Sequence, residues 1–206
     1  MSYPTTVDRV IALAKEGDSH ALGSLLEGYR AYLKMIACVH VGRKLRSKVD
    51  ADDLLQEAFL RAHQAIGRFR GTSEEEFLSW LRGILAHVLA DQFRRYHGTE
   101  RRDPDLERAL ELELERSSEG LVHMLAAPAS SPSQRMIRHE RAVRLAAVLE
   151  RLPPAAREVL LLRHFQELSF PEIARRMGRT LDGVKNLWLR GLARLRQEAD
   201  FLDERD

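Results

Sequence analysis

The sequence predicts an all-α protein of two helical domains joined by a flexible linker, and three observations carry that expectation. Leu, Ala, Arg and Glu dominate a chain that is only 6% aromatic and 31% charged, a balance that favours helices over a sheet-rich sandwich or barrel. Apolar residues recur at three- and four-residue spacings in the stretches before residue 98 and after residue 133. Between them lies a segment that opens on Glu100-Arg101-Arg102-Asp103-Pro104 and closes on Ala126-Ala127-Pro128-Ala129-Ser130-Ser131-Pro132-Ser133, where small residues and prolines bury little surface. A length of 206 residues with 44% hydrophobic content accommodates one large core or two small ones, and this central segment favours two.

Residues 1–97 form the first domain and read as helices at about 6–15, 19–41, 52–69 and 74–96. Ser73 followed three residues later by Glu76 forms a capping box after Gly71, and Asp50 with Asp53 does similar work after the basic turn at 43–48. Residues 98–133 form the linker, within which only the acidic stretch 106–115 favours a short helix. Residues 134–206 form the second domain and its acidic tail. There Pro153-Pro154 ends one helix after Leu152 and starts the next, which runs to about 165 with Val159, Leu160 and Leu162 as its apolar face.

Charge separates these zones further, because a net charge of +2 hides an uneven distribution. Residues 134–196 hold 14 of the 33 basic residues and 6 of the 31 acidic ones, residues 98–133 hold 4 and 8, and the tail from Gln197 holds 1 and 5. The basic segment is the electrostatic footprint of a protein that meets phosphates.

The strongest local signal lies within it, at residues 168–180 (LSFPEIARRMGRT). Ser169 caps with Glu172, Pro171 falls in a first turn, Gly178 closes the short helix after Met177, and Thr180 caps the next helix at once. Two helices joined by about three residues with a glycine at the corner have the geometry of a DNA-reading helix-turn-helix. In the second helix Val184, Leu187, Trp188, Leu192 and Leu195 make a core stripe, while Lys185, Asn186, Leu189, Arg190 and Arg194 occupy the other face. Lys185 and Asn186, near the helix start, are the base-contact candidates, and Arg163, Arg175 and Arg176 are placed to hold the DNA backbone.

Other chemistry finds little support. A single Cys38, in an apolar run, forms no internal disulfide, and scattered histidines make no metal-ligand set. There is no P-loop and no Gly-x-Ser-x-Gly elbow, and Asp52, Asp53 and Glu57 lack a second cluster to position a substrate, so neither an enzyme nor a cofactor is expected. No apolar run approaches the roughly 20 residues that span a bilayer and the N-terminus lacks a signal-peptide core, which predicts a cytoplasmic protein.

These residues together resemble the sigma-70 family, specifically its compact extracytoplasmic-function (ECF) group, over residues 8–97 and 136–197. Asp52-Asp53-Leu54-Leu55-Gln56-Glu57-Ala58-Phe59-Leu60 is similar to region 2.2, which implies docking on a coiled coil of the largest subunit of core RNA polymerase through Asp52, Asp53, Gln56, Glu57 and Leu60. The helical period supports a partner face, since Leu55, Ala58, Phe59, Ala62 and Ile66 share one stripe and Asp53, Gln56, Glu57 and Leu60 share another. Residues 77–87 and 91–95 resemble regions 2.3 and 2.4, which implies melting of the downstream (−10) promoter element by Phe69, Arg70, Arg82, His87, Arg94 and Arg95, with Trp80 read as core. Stacking or pocket contacts to unpaired bases, with basic groups along the backbone, are what strand capture requires. The helix-turn-helix looks like region 4, which implies reading of the upstream (−35) element by Thr180, Lys185, Asn186, Leu189, Arg190 and Arg194 with Arg163, Arg175 and Arg176, and contact with the polymerase flap. His87 stands where the family usually has asparagine, and Asp182-Gly183 replaces glycine followed by threonine or alanine. The resemblance implies promoter DNA and core polymerase as partners and admits an anti-sigma protein, to which the acidic tail could contribute. The competing reading, a stand-alone regulator whose N-terminal helices bind a ligand or dimerise, does not account for the region 2.2 and 2.4 motifs.

Overall fold

The computed structural model describes residues 6–44, 50–97, 104–123 and 133–203. Through them run α1 (Thr6–Lys15), α2 (Ser19–Lys44), α3 (Ala51–Ala65), α4 (Glu74–His97), α5 (Pro104–His123), α6 (Ser133–Arg151), α7 (Pro154–His164), α8 (Phe170–Met177) and α9 (Leu181–Asp203), and no strand occurs among the described residues. The helices fall into two compact units, Met1–Arg116 and Ser117–Asp206, each with its own core.

In the first unit α2, α3 and α4 start where a carboxylate or hydroxyl meets backbone donors that the first turn leaves open. Asp18 accepts from the N–H groups of His20 and Ala21 at 2.9 and 3.0 Å to start α2, and Asp50 accepts from the N–H of Asp52 at 3.1 Å to start α3. Before α4, the Ser73 N–H donates to the Glu76 carboxylate at 3.1 Å while the Glu76 N–H donates to Ser73 Oγ at 3.3 Å, the reciprocal cap that the spacing predicts. Hydrogen bonds from the backbone of Thr72 and Ser73 hold the Glu76 carboxyl below the usual glutamate range.

α2 is central. It buries Leu22, Leu25, Leu26, Tyr29, Leu33 and Ile36 at helical spacing and packs against α1, α3 and α4. Full burial of an aliphatic side chain of this size contributes roughly 1.5–3 kcal/mol. α3 buries Ala51, Leu54, Leu55, Ala58 and Ala62, then tightens into a single 3-10 turn over Ile66–Arg68 instead of continuing to residue 69. The chain turns extended at Phe69, which lets its ring lie 5.7 Å from Phe77 and 5.0 Å from Trp80, a gain that an uninterrupted helix would forgo. Gly71 passes directly against that ring, where a Cβ would stand 2.3 Å from it.

The largest departure from expectation is α5. In place of a short helix inside a poorly ordered linker, a 20-residue helix spans Pro104–His123, and its first part, to Arg116, belongs to the first unit. Leu110 and Leu114, one turn apart, are buried on that unit, so a segment read as tether from its charge and its proline-rich end carries two apolar anchors. The remainder of the expected linker, residues 98–103 and 124–132, lies outside the described residues, as do the basic turn at 45–49 and the last three residues of the acidic tail.

In the second unit, Pro153 and Pro154 separate α6 from α7 as their rigid geometry requires. α9 packs on α6, α7 and α8, and the core joins Val159 and Leu162 of α7 to Ile173 and Ala174 of α8 and Val184 of α9. Gly178 ends α8 in the left-handed conformation, φ +62°, and its N–H bonds back to Arg175. Replacement Gly178→Ala should destabilise the protein by about 1 kcal/mol, because a Cβ disfavours positive φ although it meets open space here. Denaturant unfolding measures the loss, and Gly178→Asn should restore most of it.

Candidate nucleic-acid interface

The corner between α8 and α9 is built by local chemistry on both sides. Ser169 and Glu172 form the capping box of α8, with the Ser169 N–H and Oγ at 2.7 and 2.6 Å from the Glu172 carboxylate, and these bonds hold that carboxyl below the usual glutamate range. Across the turn, Thr180 Oγ1 accepts from the Gly183 N–H at 3.1 Å and starts α9. Three residues, Gly178 to Thr180, connect the helices, which is the expected helix-turn-helix spacing.

Burial then sets which face of α9 points out. Val184 and Leu195 are fully buried, Leu187, Trp188 and Leu192 are half-buried, and Lys185, Asn186, Leu189, Arg190 and Arg194 are exposed. Leu189 is 56% exposed, an apolar group at the centre of a cationic face. Trp188 acts as a strut: its ring meets Phe170 edge-on at 5.4 Å, and its indole N–H donates to His164 Nε2 at 3.3 Å. Burial, together with the neighbouring Arg163 charge, lowers the His164 pKa and favours the neutral ring able to accept that bond.

Two of the cations expected on the DNA backbone are committed elsewhere. Arg163 donates to the Leu168 carbonyl at 3.0 Å and lies 5.0 Å over the Phe170 ring, so it holds the loop between α7 and α8. Arg176 is half-buried and donates to Gln166 at 2.9 Å. Arg175, on the outer side of α8, is exposed, as is Thr180 apart from its capping oxygen. The helical period predicts α9 well but not the arginines flanking it, since their direction depends on the loop at 165–169.

On α3, Asp52, Asp53 and Gln56 are exposed, Glu57 is half-buried, and Leu60 is 54% exposed beside them. Lys34 pairs with Asp52 at 2.8 Å and Arg61 with Glu57 at 2.8 Å. Phe59, expected in the buried stripe, is half-buried under Arg30, whose guanidinium lies 5.3 Å from its ring centre, and Leu54 takes the place in the core.

The residues expected to capture an unpaired strand divide more sharply. Arg70 and Arg95 are exposed. Phe69 is buried in the aromatic cluster with Phe77 and Trp80, under Lys15. Arg82, expected on a DNA backbone, is 6% exposed and donates to the Tyr32 hydroxyl at 3.1 Å, which ties α4 to α2. His87 has Nδ1 at 2.7 Å from the Gly83 carbonyl and Nε2 at 3.0 Å from Glu107 of α5, while Arg94 pairs with Asp91 and lies 3.4 Å from Glu107. Glu107, which the sequence offered only as part of an acidic helix face, is the group that joins these two candidates.

Two helical units, one of them carrying a helix-turn-helix with a cationic outer face, have the architecture of a DNA-binding protein. Residues 29–99 match Sigma-70 region 2 and residues 142–195 match Sigma-70, region 4. The ECF RNA polymerase sigma factor SigD of Mycobacterium tuberculosis is 34% identical over 192 residues, covering 93% of this chain and 83% of the relative, and SigX of Bacillus subtilis is 27% identical over 165 residues, covering 78% and 76%. At 22% identity and a TM-score of 0.35, the chain also aligns over 97% of its length with 98% of CnrH, solved in complex with the cytosolic domain of CnrY. The chain belongs to the ECF group of the sigma-70 family and is a promoter-recognition sigma factor of RNA polymerase. Among the described residues, no helix is long and apolar enough to cross a membrane.

The interior position of Arg82 makes a distinguishing forecast. Arg82→Ala should lower the unfolding free energy by about 2 kcal/mol, through loss of a buried charged hydrogen bond and its packing. Measured by denaturant titration without DNA, that loss separates a structural role from a DNA contact, whose removal would leave stability within about 0.5 kcal/mol.

Proposed function

We propose that the two units work as one promoter reader, α3 docking on the core polymerase, α4 and its preceding turn engaging the opened downstream element, and α9 entering the major groove of the upstream element. The observation that carries this reading is the outer face of α9, where Lys185 and Asn186 stand exposed in its first two turns and Leu189, Arg190 and Arg194 continue the row. A recognition helix meets base edges with the residues nearest its N-terminus, and Lys and Asn are donors suited to guanine and adenine edges. Arg175 and the later arginines of α9 contact phosphates. Leu189 supplies an apolar contact of the kind a thymine methyl accepts.

The polymerase contact follows from α3. Leu60 is a large apolar side chain left in water among Asp53, Gln56 and Glu57, on a helix whose other face is buried, and a helix-on-helix contact with a coiled coil would cover it. The protein acts by binding and carries out no chemistry of its own, and its site of action is the cytoplasm, where polymerase and promoter meet. The expected domain limits, 1–97 and 134–206, set the two DNA-engaging units. An anti-sigma protein would be a competitor for the polymerase-docking and DNA-reading faces.

In vitro transcription with core enzyme on a genomic fragment library, with start sites mapped, tests the function directly: the protein should direct initiation at a discrete set of sites, and absence of any initiation would overturn the reading. Replacing Lys185 and Asn186 together by alanine should relax sequence preference at the upstream element by about 1–3 kcal/mol per lost base contact, whereas Arg175→Ala should weaken all sites uniformly and flatten the salt dependence. Selection from a randomised upstream element, repeated at two salt concentrations, reads both effects. Leu60→Asp should weaken competition with the housekeeping sigma factor for core enzyme by about tenfold or more while leaving the unfolding midpoint nearly unchanged.

A further inference from the structure

The charge pattern of α5 is matched to the surface on which it lies. Its first-unit part carries Asp105, Glu107, Glu111, Glu113 and Glu115 against only Arg108 and Arg116. Glu107 is 7% exposed and sits at 3.0 Å from His87 and 3.4 Å from Arg94, while Glu113 reaches the buried His40 of α2 at 3.4 Å. Leu110 and Leu114 complete the buried stripe, at three- and four-residue steps from Glu107. Between α5 and α4 a cleft of about 1030 Å³ remains, walled on one side by Arg70, Trp80 and His87 and on the other by Glu107, Glu111 and Glu115.

A carboxylate held on His87 and Arg94 stands where the phosphate of an unpaired strand would stand, and both groups are acceptors of the same kind for the same donors. We infer that α5 is an internal competitor for the strand-capturing surface: its acidic side chains occupy that surface in the free protein, and single-stranded DNA binds only by displacing them. The attachment is suited to displacement. Its contacts include the carboxylates of Glu107 and Glu113 and two buried leucines, while Leu112 on the same helix is 49% exposed. Displacing it opens the region around His87 and Arg94 and leaves Arg82 and Phe69 in place as framework. The free protein is thereby held back from non-specific single strands. This inference rests on the proposed role of α4 in engaging the opened strand.

The test uses the full chain and a fluorescently labelled 12-nucleotide single strand of mixed sequence, followed by anisotropy at low salt. The double variant Glu107→Gln/Glu113→Gln should bind it about fivefold or more tightly than the parent, because the competent state is no longer the minor one. Glu16→Gln/Glu75→Gln, which makes the same change of net charge on exposed positions of the same unit, should shift the affinity by less than about twofold. Equal affinities for the two double variants would overturn the inference. A second measurement needs no variant: hydrogen exchange on the parent should show residues 104–116 losing protection when the single strand is added, and unchanged or increased protection there would equally overturn it. Open-complex formation by the parent with core enzyme, read by permanganate reactivity of unpaired thymines, separates the two levels. Opening with no difference between the double variants refutes α5 as competitor and leaves the functional reading intact, while failure of the parent to open any promoter with core enzyme removes both.

Discussion

Val184 is fully buried against Ile173 and Val159, and the use of α9 follows from that one insertion. A helix has a single rotational setting once an apolar residue in its first turns is seated, and the residues that follow it, Lys185 and Asn186, then face water. Thr180 and Gly178 make the setting reachable by stopping one helix and starting the next within three residues. Trp188 adds a second lock one turn further on, through Phe170 and His164. The same logic holds in α3, where Leu54, Leu55, Ala58 and Ala62 turn inward and leave Leu60 outside.

A cation is available to DNA only if its own protein has not already engaged it. Arg163, Arg176 and Arg82 are all within reach of the expected interfaces along the sequence, yet a carbonyl, an amide and a phenol of this chain take them first. Desolvating a guanidinium without a partner is costly, so each of these arginines is bound to an acceptor inside the fold. Net charge in the basic segment therefore overstates the charge presented to DNA. Of the expected contacts, Arg175, Lys185 and Arg190 remain exposed on α8 and α9, while Arg194, exposed as well, lies 3.5 Å from the Glu198 carboxylate.

Elements that depend on neighbours a few residues away are legible in the amino-acid order itself. Ser73 with Glu76, Ser169 with Glu172, Thr180 and the Pro153-Pro154 break define helix starts through contacts within three or four positions, and all stand where the spacing puts them. The α9 stripe is legible for the same reason. What escapes is set at long range: Arg82 meets Tyr32 across 50 positions, and Trp188 meets His164 across 24. Phe69 escapes differently, because the helical propensity of residues 66–69 competes with an aromatic cluster whose members come from another helix. The acidic stretch after residue 103 is legible as helix but not as a packed one. Its periodic pair, Leu110 and Leu114, is too short a pattern to announce a core.

The contacts of α5 extend beyond Glu107. Glu57 pairs with Arg61, Arg61 with Asp91 at 2.7 Å, Asp91 with Arg94, and Arg94 with Glu107, so charges of alternating sign run from the outer edge of α3 through α4 to α5. Most of these side chains are between one-tenth and one-third exposed, where water screens a pair less than it does at the open surface. In such a row no pair is independent of the next: an oxygen that leaves Arg61 makes Asp91 the better partner for it, and Asp91 then holds Arg94 less tightly. The edge of α3 that carries Leu60 and the helix that covers His87 thus belong to one electrostatic array.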